Sequence, residues 1–139
     1  MPQLNAYLSF DGQCAEAMKF YADVLDAKVE ALITYNDVPG EQPMPPDGAD
    51  RIMHACLSHP DFALMAGDIP PGVVYDGMSG VMMTLTYDRV DDARRVFAAF
   101  ADGGNVTMPL GETFWAEAFG MVTDRYGTGW GINGGRKAM

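Results

Sequence analysis

His54 is the side chain best suited to chemistry in this chain, because a neutral imidazole can bind a ligand or act as a base near neutral pH. It lies in the run Ile52-Met53-His54-Ala55-Cys56-Leu57-Ser58. On a strand, alternate residues part to opposite faces, so Met53, Ala55 and Leu57 take one face and Ile52, His54, Cys56 and Ser58 the other. Tyr7 and Ser9 share the parity of Asn5, and together the three supply a phenol, a hydroxyl and an amide. Glu117 is the candidate carboxylate, and His54 and Glu117 are the candidate catalytic groups. His59, in a His-Pro-Asp turn, reads as solvated. Cys14 and Cys56 form neither a metal motif nor a disulfide framework and read as small packing residues.

Other chemistries lack their motifs. Gly127-Thr128-Gly129 precedes a strand and not a helix, so it is no dinucleotide fingerprint. There is no P-loop, no Gly-x-Ser-x-Gly elbow and no strand–glycine loop–helix site for S-adenosylmethionine. The balance of 9 Lys+Arg against 19 Asp+Glu gives a net charge of −10. That argues against nucleic acid or an anionic membrane as partner, since both repel an acidic surface. No apolar run reaches the roughly 18 residues that span a bilayer. Met1-Pro2-Gln3-Leu4-Asn5 lacks the basic and apolar character of a signal peptide. The expectation is a reduced, cytoplasmic protein with a single domain over residues 1–139.

The elements that must position these groups follow from periodicity. Leu4, Ala6, Leu8 and Phe10 alternate with polar residues as a strand, and Asp11-Gly12 breaks it. Cys14, Ala17, Met18, Tyr21 and Leu25 then form one apolar helical stripe, with Asp11 as the expected cap of a helix over 13–26. Strands are expected at Ala27–Thr34, Arg51–Ser58 and Phe62–Gly67. The stretch 36–50 holds Pro39, Pro43, Pro45 and Pro46 and reads as a long loop of the kind that forms lids. A second loop runs from Asp68 to Gly80.

From Val81 the order restarts. A strand at Val81–Tyr87 precedes a helix over 90–102, whose stripe is Ala93, Val96, Phe97, Phe100 and Ala101. Gly103-Gly104 ends that helix. Strands follow at Val106–Leu110, Phe119–Asp124 and Thr128–Asn133, with a turn at Asp124-Arg125-Tyr126-Gly127. Phe10-Asp11 corresponds to Tyr87-Asp88, an offset of about 77 residues, so the chain reads as an internal repeat. The fold class is α+β, with mixed sheets in two modules, about 1–72 and about 78–135.

Two segments carry a family resemblance. One is Ala6-Tyr7-Leu8-Ser9-Phe10-Asp11-Gly12-Gln13-Cys14-Ala15-Glu16-Ala17, closed by Phe20-Tyr21. The other is Glu112-Thr113-Phe114-Trp115-Ala116-Glu117-Ala118-Phe119-Gly120, followed by Val122-Thr123-Asp124-Arg125-Tyr126-Gly127 and Trp130-Gly131-Ile132-Asn133. The chain resembles the PhnB-like branch of the glyoxalase/bleomycin resistance/dioxygenase (vicinal oxygen chelate) superfamily. The resemblance implies two paired βαβββ modules whose curved sheets form a cup-shaped cavity for a small molecule, and a homodimer.

Metalloenzymes of that superfamily hold a divalent ion with His and Glu side chains from four strands. By resemblance the corresponding positions here are Asn5, His54, Met82 and Gly131, of which only His54 is a ligand type. The expectation is therefore no metal cofactor, with a divalent ion as the alternative. The implied cavity is lined by Asn5, Tyr7, Ser9, His54, Met82, Thr84, Trp115 and Glu117, a mixture of apolar wall and a few polar groups. Trp115 also reads as core packing beside Phe114 and Phe119, Trp130 as core, and Asp124 as the organiser of its turn. The function implied is binding of a small organic or anionic molecule without a tightly bound metal. The alternative is a lyase, isomerase or transferase using His54 with Glu117 or Tyr7.

Overall fold

A computed structural model describes residues 2–37, 50–70 and 72–137. The chain divides into two compact units, 1–77 and 78–139. In the first, β1 (Ala6–Phe10) leads into α1 (Cys14–Leu25), followed by β2 (Lys28–Thr34), β3 (Ile52–His59) and β4 (Phe62–Asp68). The strands form an open sheet in the order β1-β4-β3-β2, with β1 parallel to β4 and the other neighbours antiparallel. In the second unit, β5 (Met83–Tyr87) and α2 (Val90–Ala101) precede β6 (Asn105–Gly111), β7 (Ala116–Thr123) and β8 (Gly129–Arg136). Their order, β5-β8-β7-β6, is the same scheme again.

The repeat is visible in the register. Ala6, Leu8 and Phe10 face Leu64, Ala66 and Asp68, while Met83, Leu85 and Tyr87 face Trp130, Ile132 and Gly134. Phe10 and Tyr87 thus close equivalent strands, as the offset between the halves predicts. Each βαβββ unit is α+β with a mixed sheet, and each parallel pair is joined to its helix by the crossover that parallel strands require.

One face of each sheet is covered by its helix. Cys14, Ala17, Met18 and Tyr21 of α1 are wholly buried, against a sheet face that supplies Phe10, Ala55, Leu57 and Ala66. The stripe Ala93, Val96, Phe97 and Phe100 of α2 is likewise buried, and Phe100 stacks on Trp130 at 4.4 Å between ring centroids. The second helix lies very close to its sheet. A Cβ at Gly134 would fall 2.6 Å from Ala93 Cβ, so only glycine fits there.

Several boundaries move. Leu4 is 99% exposed and, with Asn5, precedes β1; Val81 and Met82 precede β5. Strand β7 starts at Ala116, three residues before the expected start, because the ladder continues through Ala118↔Gly134 to Ala116↔Arg136. Strand β8 runs three residues past the expected end at Asn133, through Gly134 and Gly135 to Arg136. The expected loop at 36–50 lies mostly outside the described residues; Tyr35–Asp37 form one 3₁₀ turn.

The cap of α1 is also different. Asp11 does not cap it: its carboxylate pairs with Arg51. The acceptor comes from the end of β4, where Asp68 Oδ1 receives the N–H groups of Gly12 (2.8 Å) and Cys14 (3.0 Å). Asp68 Oδ2 receives the N–H of Ile52 at 2.8 Å. One buried carboxylate therefore joins the helix start, β4 and β3. His59 is not simply solvated either. Its ring stacks on Phe62 at 4.4 Å, and its Nδ1 accepts the Asp61 N–H at 3.1 Å.

Candidate functional site

The face of each sheet turned away from its helix carries the chemistry. In the first unit it presents Tyr7, Ser9, His54 and Cys56. The Tyr7 ring, 51% exposed, lies across β4 because Gly67 has no side chain; a Cβ there would fall 2.9 Å from the Tyr7 hydroxyl. That position brings the hydroxyl 3.4 Å from His54 Nδ1 and 3.3 Å from the Met53 carbonyl, with the Tyr7 and His54 rings stacked at 5.8 Å. The hydroxyl can donate to Met53 O while accepting Nδ1–H from His54, which leaves Nε2 as an open acceptor. Partial burial, and after it the neighbouring Cys14 and Tyr35, pushes the Tyr7 phenol above its usual pKa; a phenol is protonated at neutral pH even without that shift.

Two further tyrosines brace this unit. Tyr35 donates to the Asp68 carbonyl and Tyr75 to the Ser9 carbonyl, at 2.9 and 2.8 Å. The pKa values of both phenols are raised chiefly by burial. Of the two thiols, Cys56 is half-buried while Cys14 is buried and pushed up to about 12, first by burial and then by Asp68. An unionised thiol is a packing group and not a nucleophile.

In the second unit Met82, Thr84 and Thr86 of the β5 segment share a face with Gly131, Asn133 and Gly135 of β8. The Met82 side chain lies over Gly131, where a Cβ would meet Met82 Cε at 2.9 Å. Further along β8 a cleft of about 250 Å³ opens, lined by Thr86, Trp115, Ala116, Asn133, Gly135, Arg136 and Lys137. Trp115 donates its indole N–H to Asn133 Oδ1 at 2.8 Å, and Asn133 Nδ2 reaches Thr86 Oγ1 at 3.4 Å. Phe119 and Phe114 meet the indole edge-on, at 5.3 and 4.9 Å. The Lys137 N–H donates to the Trp115 carbonyl at 3.0 Å, which fixes one wall to the other.

The expected site residues therefore fall into groups. Tyr7 and His54 are in contact, and Ser9 shares their face. Met82 and Thr84 flank Gly131, and Trp115 walls the cleft. Asn5 is exposed ahead of β1. Glu117 is exposed and does not line the cleft; its carboxylate lies against Gly135, where an added Cβ would collide with it. Thr86, Ala116, Asn133, Gly135, Arg136 and Lys137 of the cleft were missed. Parity offered a signal for three of them, since Thr86 follows Thr84 by two, and Asn133 and Gly135 follow Gly131 by two and four.

The fold and these faces define a protein of two βαβββ units. A model of the Glyoxalase/Bleomycin resistance protein/Dioxygenase superfamily matches residues 3–132, and the chain belongs to that superfamily. Protein YjdN of Escherichia coli (strain K12) is 30% identical over 140 residues, covering 94% of this chain and 93% of the relative. The crystal structure of protein PA1353 from Pseudomonas aeruginosa is similar with a TM-score of 0.90 and 43% identity, over 99% of this chain and 100% of that one. A PhnB protein from Bacillus cereus shares the fold with a TM-score of 0.79 at 22% identity, over 96% of this chain and 99% of that one.

The residues at the metal-ligand positions that the resemblance implies do not fit a divalent ion. Asn5 offers a neutral amide, Met82 a thioether and Gly131 no side chain, and the Met82 side chain covers Gly131. His54 alone cannot supply the three or four N, O or S donors of a stable site. Among the described residues no helix is long and apolar enough to cross a membrane.

Proposed function

We propose that this chain binds a small organic or anionic molecule on the open face of its sheet structure, as a carrier or sequestering protein without a tightly held metal. The observation that carries the reading is the cleft beside Trp115. It has an aromatic wall, hydroxyl and amide groups already oriented by one another, and two cationic side chains in its lining. An apolar wall with a few fixed polar groups is the composition of small-molecule sites. Native mass spectrometry of the intact chain with a mixed library of small organic acids and neutral compounds tests it. The expected result is a retained adduct that Trp115→Ala weakens; an absence of adducts from cells and from the library overturns it.

A second reading is favoured by one contact. The Tyr7–His54 pair, with a protonated phenol and an open Nε2, is suited to moving a proton in a lyase, isomerase or transferase reaction. Turnover of a bound compound that is lost in both Tyr7→Phe and His54→Gln would favour this enzyme reading over the carrier.

A homodimer accompanies the proposal. Leu4, Val74, Val81 and Phe114 stand 75% or more exposed, and covering such side chains with a second copy removes apolar surface from water.

A further inference from the structure

We infer that the cleft at the end of β8 takes a small organic carboxylate with a flat apolar body, its charge on Arg136 and Lys137 and its body against Trp115. The inference rests on the reading of the chain as a small-molecule binder and names the class of molecule. The volume of about 250 Å³ lies below the roughly 300–1,000 Å³ of sites for drug-sized ligands, which selects a small molecule. The indole N–H of Trp115 is already committed to Asn133, so the ring offers a ligand its apolar face and no donor. The charged groups in the lining are Arg136 and Lys137, both cationic, in a chain whose net charge is −10.

Arg136 has no ion-pair partner among the described residues. Lys137 Nζ is paired with the exposed carboxylate of Glu112, whose pKa it holds below the usual range by hydrogen bond and charge. Among the described residues the unpaired Arg136 guanidinium and the Lys137–Glu112 ion pair leave a net charge of +1, which matches a single negative charge better than the double charge of a phosphate. The guanidinium fork also fits the planar carboxylate in bidentate fashion. The nearby carboxylate of Glu117 lies against Gly135 and outside the lining, so it does not occupy the anion's place.

The test compares an isosteric pair, 2-naphthoate and 2-naphthamide, by ¹⁵N–¹H spectra of the whole chain. The two indole N–H signals separate the cleft from the core, because Trp130 is buried with its N–H on Asp124; Trp115→Phe assigns them. The expected result is a saturable shift of the Trp115 signal by 2-naphthoate, an unmoved Trp130 signal, and binding of the amide about tenfold weaker. Arg136→Gln should bring the acid down to the amide's level and leave the amide unchanged. Equal affinity for acid and amide, or an acid unaffected by Arg136→Gln, overturns the carboxylate assignment and leaves small-molecule binding standing. No movement of the Trp115 signal with either compound overturns the inference too, while adducts in native mass spectrometry would still uphold the wider reading.

Discussion

Replacing Asp68 by alanine tests whether a single buried carboxylate holds the first unit together. Asp68 is 4% exposed and receives three backbone N–H groups, from Gly12, Cys14 and Ile52, at 2.8–3.0 Å. Alanine leaves the Cys14 and Ile52 donors buried without a partner, at about 1–3 kcal/mol each, and frees the part-buried Gly12 donor to find water. It also removes a negative charge from the positive end of α1. A loss of about 4 kcal/mol follows, a large share of the ~5–15 kcal/mol that holds a typical domain. In a chain of this size that lowers Tm by roughly 10–15 °C. Asp68→Asn keeps one acceptor oxygen but turns an NH₂ toward one of the donors, so it should fall in between. Asp11→Ala loses only an ion pair with Arg51 whose Asp side is exposed and should cost about 0–1 kcal/mol. Urea unfolding followed by circular dichroism measures all three, with a shifted midpoint at constant slope as the sign of lost stability. An Asp68→Ala loss below about 1 kcal/mol, or no larger than that of Asp11→Ala, would refute the reasoning.

Five more outcomes are expected. With Cys14 buried at a pKa of about 12, Ellman's reagent at pH 8 should find one reactive thiol in the folded chain, Cys56, and two after denaturation. Because that pKa is raised on folding, its stabilisation is complete below the unfolded value and fades as pH climbs from about 9 toward 12; stability unchanged across that window would contradict the burial argument. Gly67→Ala should cost about 1–3 kcal/mol and displace the Tyr7 ring from His54, seen as a shift of the imidazole proton signals. Elemental analysis after dialysis should find far less than one zinc, nickel, iron or manganese per chain, and a stoichiometric metal lost in His54→Ala would reverse the donor argument. Light scattering at micromolar concentration should give twice the 15.1 kDa chain mass, and a monomer would reject the dimer.

Much of the fold was legible because periodicity reports burial directly. The stripe of α1 is buried as read and that of α2 is too except for Ala101, which is half-buried; the alternation in β1 places Leu8 and Phe10 in the core and leaves Tyr7 and Ser9 on the other face. The cleft was harder to find for a physical reason. It is built where β7 and β8 run past their expected ends, and Gly134 and Gly135 hide the continuation, since glycine signals a strand end as readily as a close approach. Asp68 looked like the first residue of a loop, whereas its role is set by three donors that are distant in sequence. Local spacing cannot show such a cap, and it pointed instead to Asp11, which sits beside the helix but is held by Arg51. The Tyr7–His54 contact depends on register between strands far apart in the chain, although the shared type of face was readable at each residue alone.

The central claim is that this chain holds a small organic molecule, and native mass spectrometry of the intact chain addresses it most directly. The account predicts a small-molecule adduct on protein taken from cells or exposed to a mixed library, released on denaturation and diminished in Trp115→Ala. Protein that shows only its own mass under all of these conditions, with Trp115→Ala indistinguishable from the parent, would contradict it.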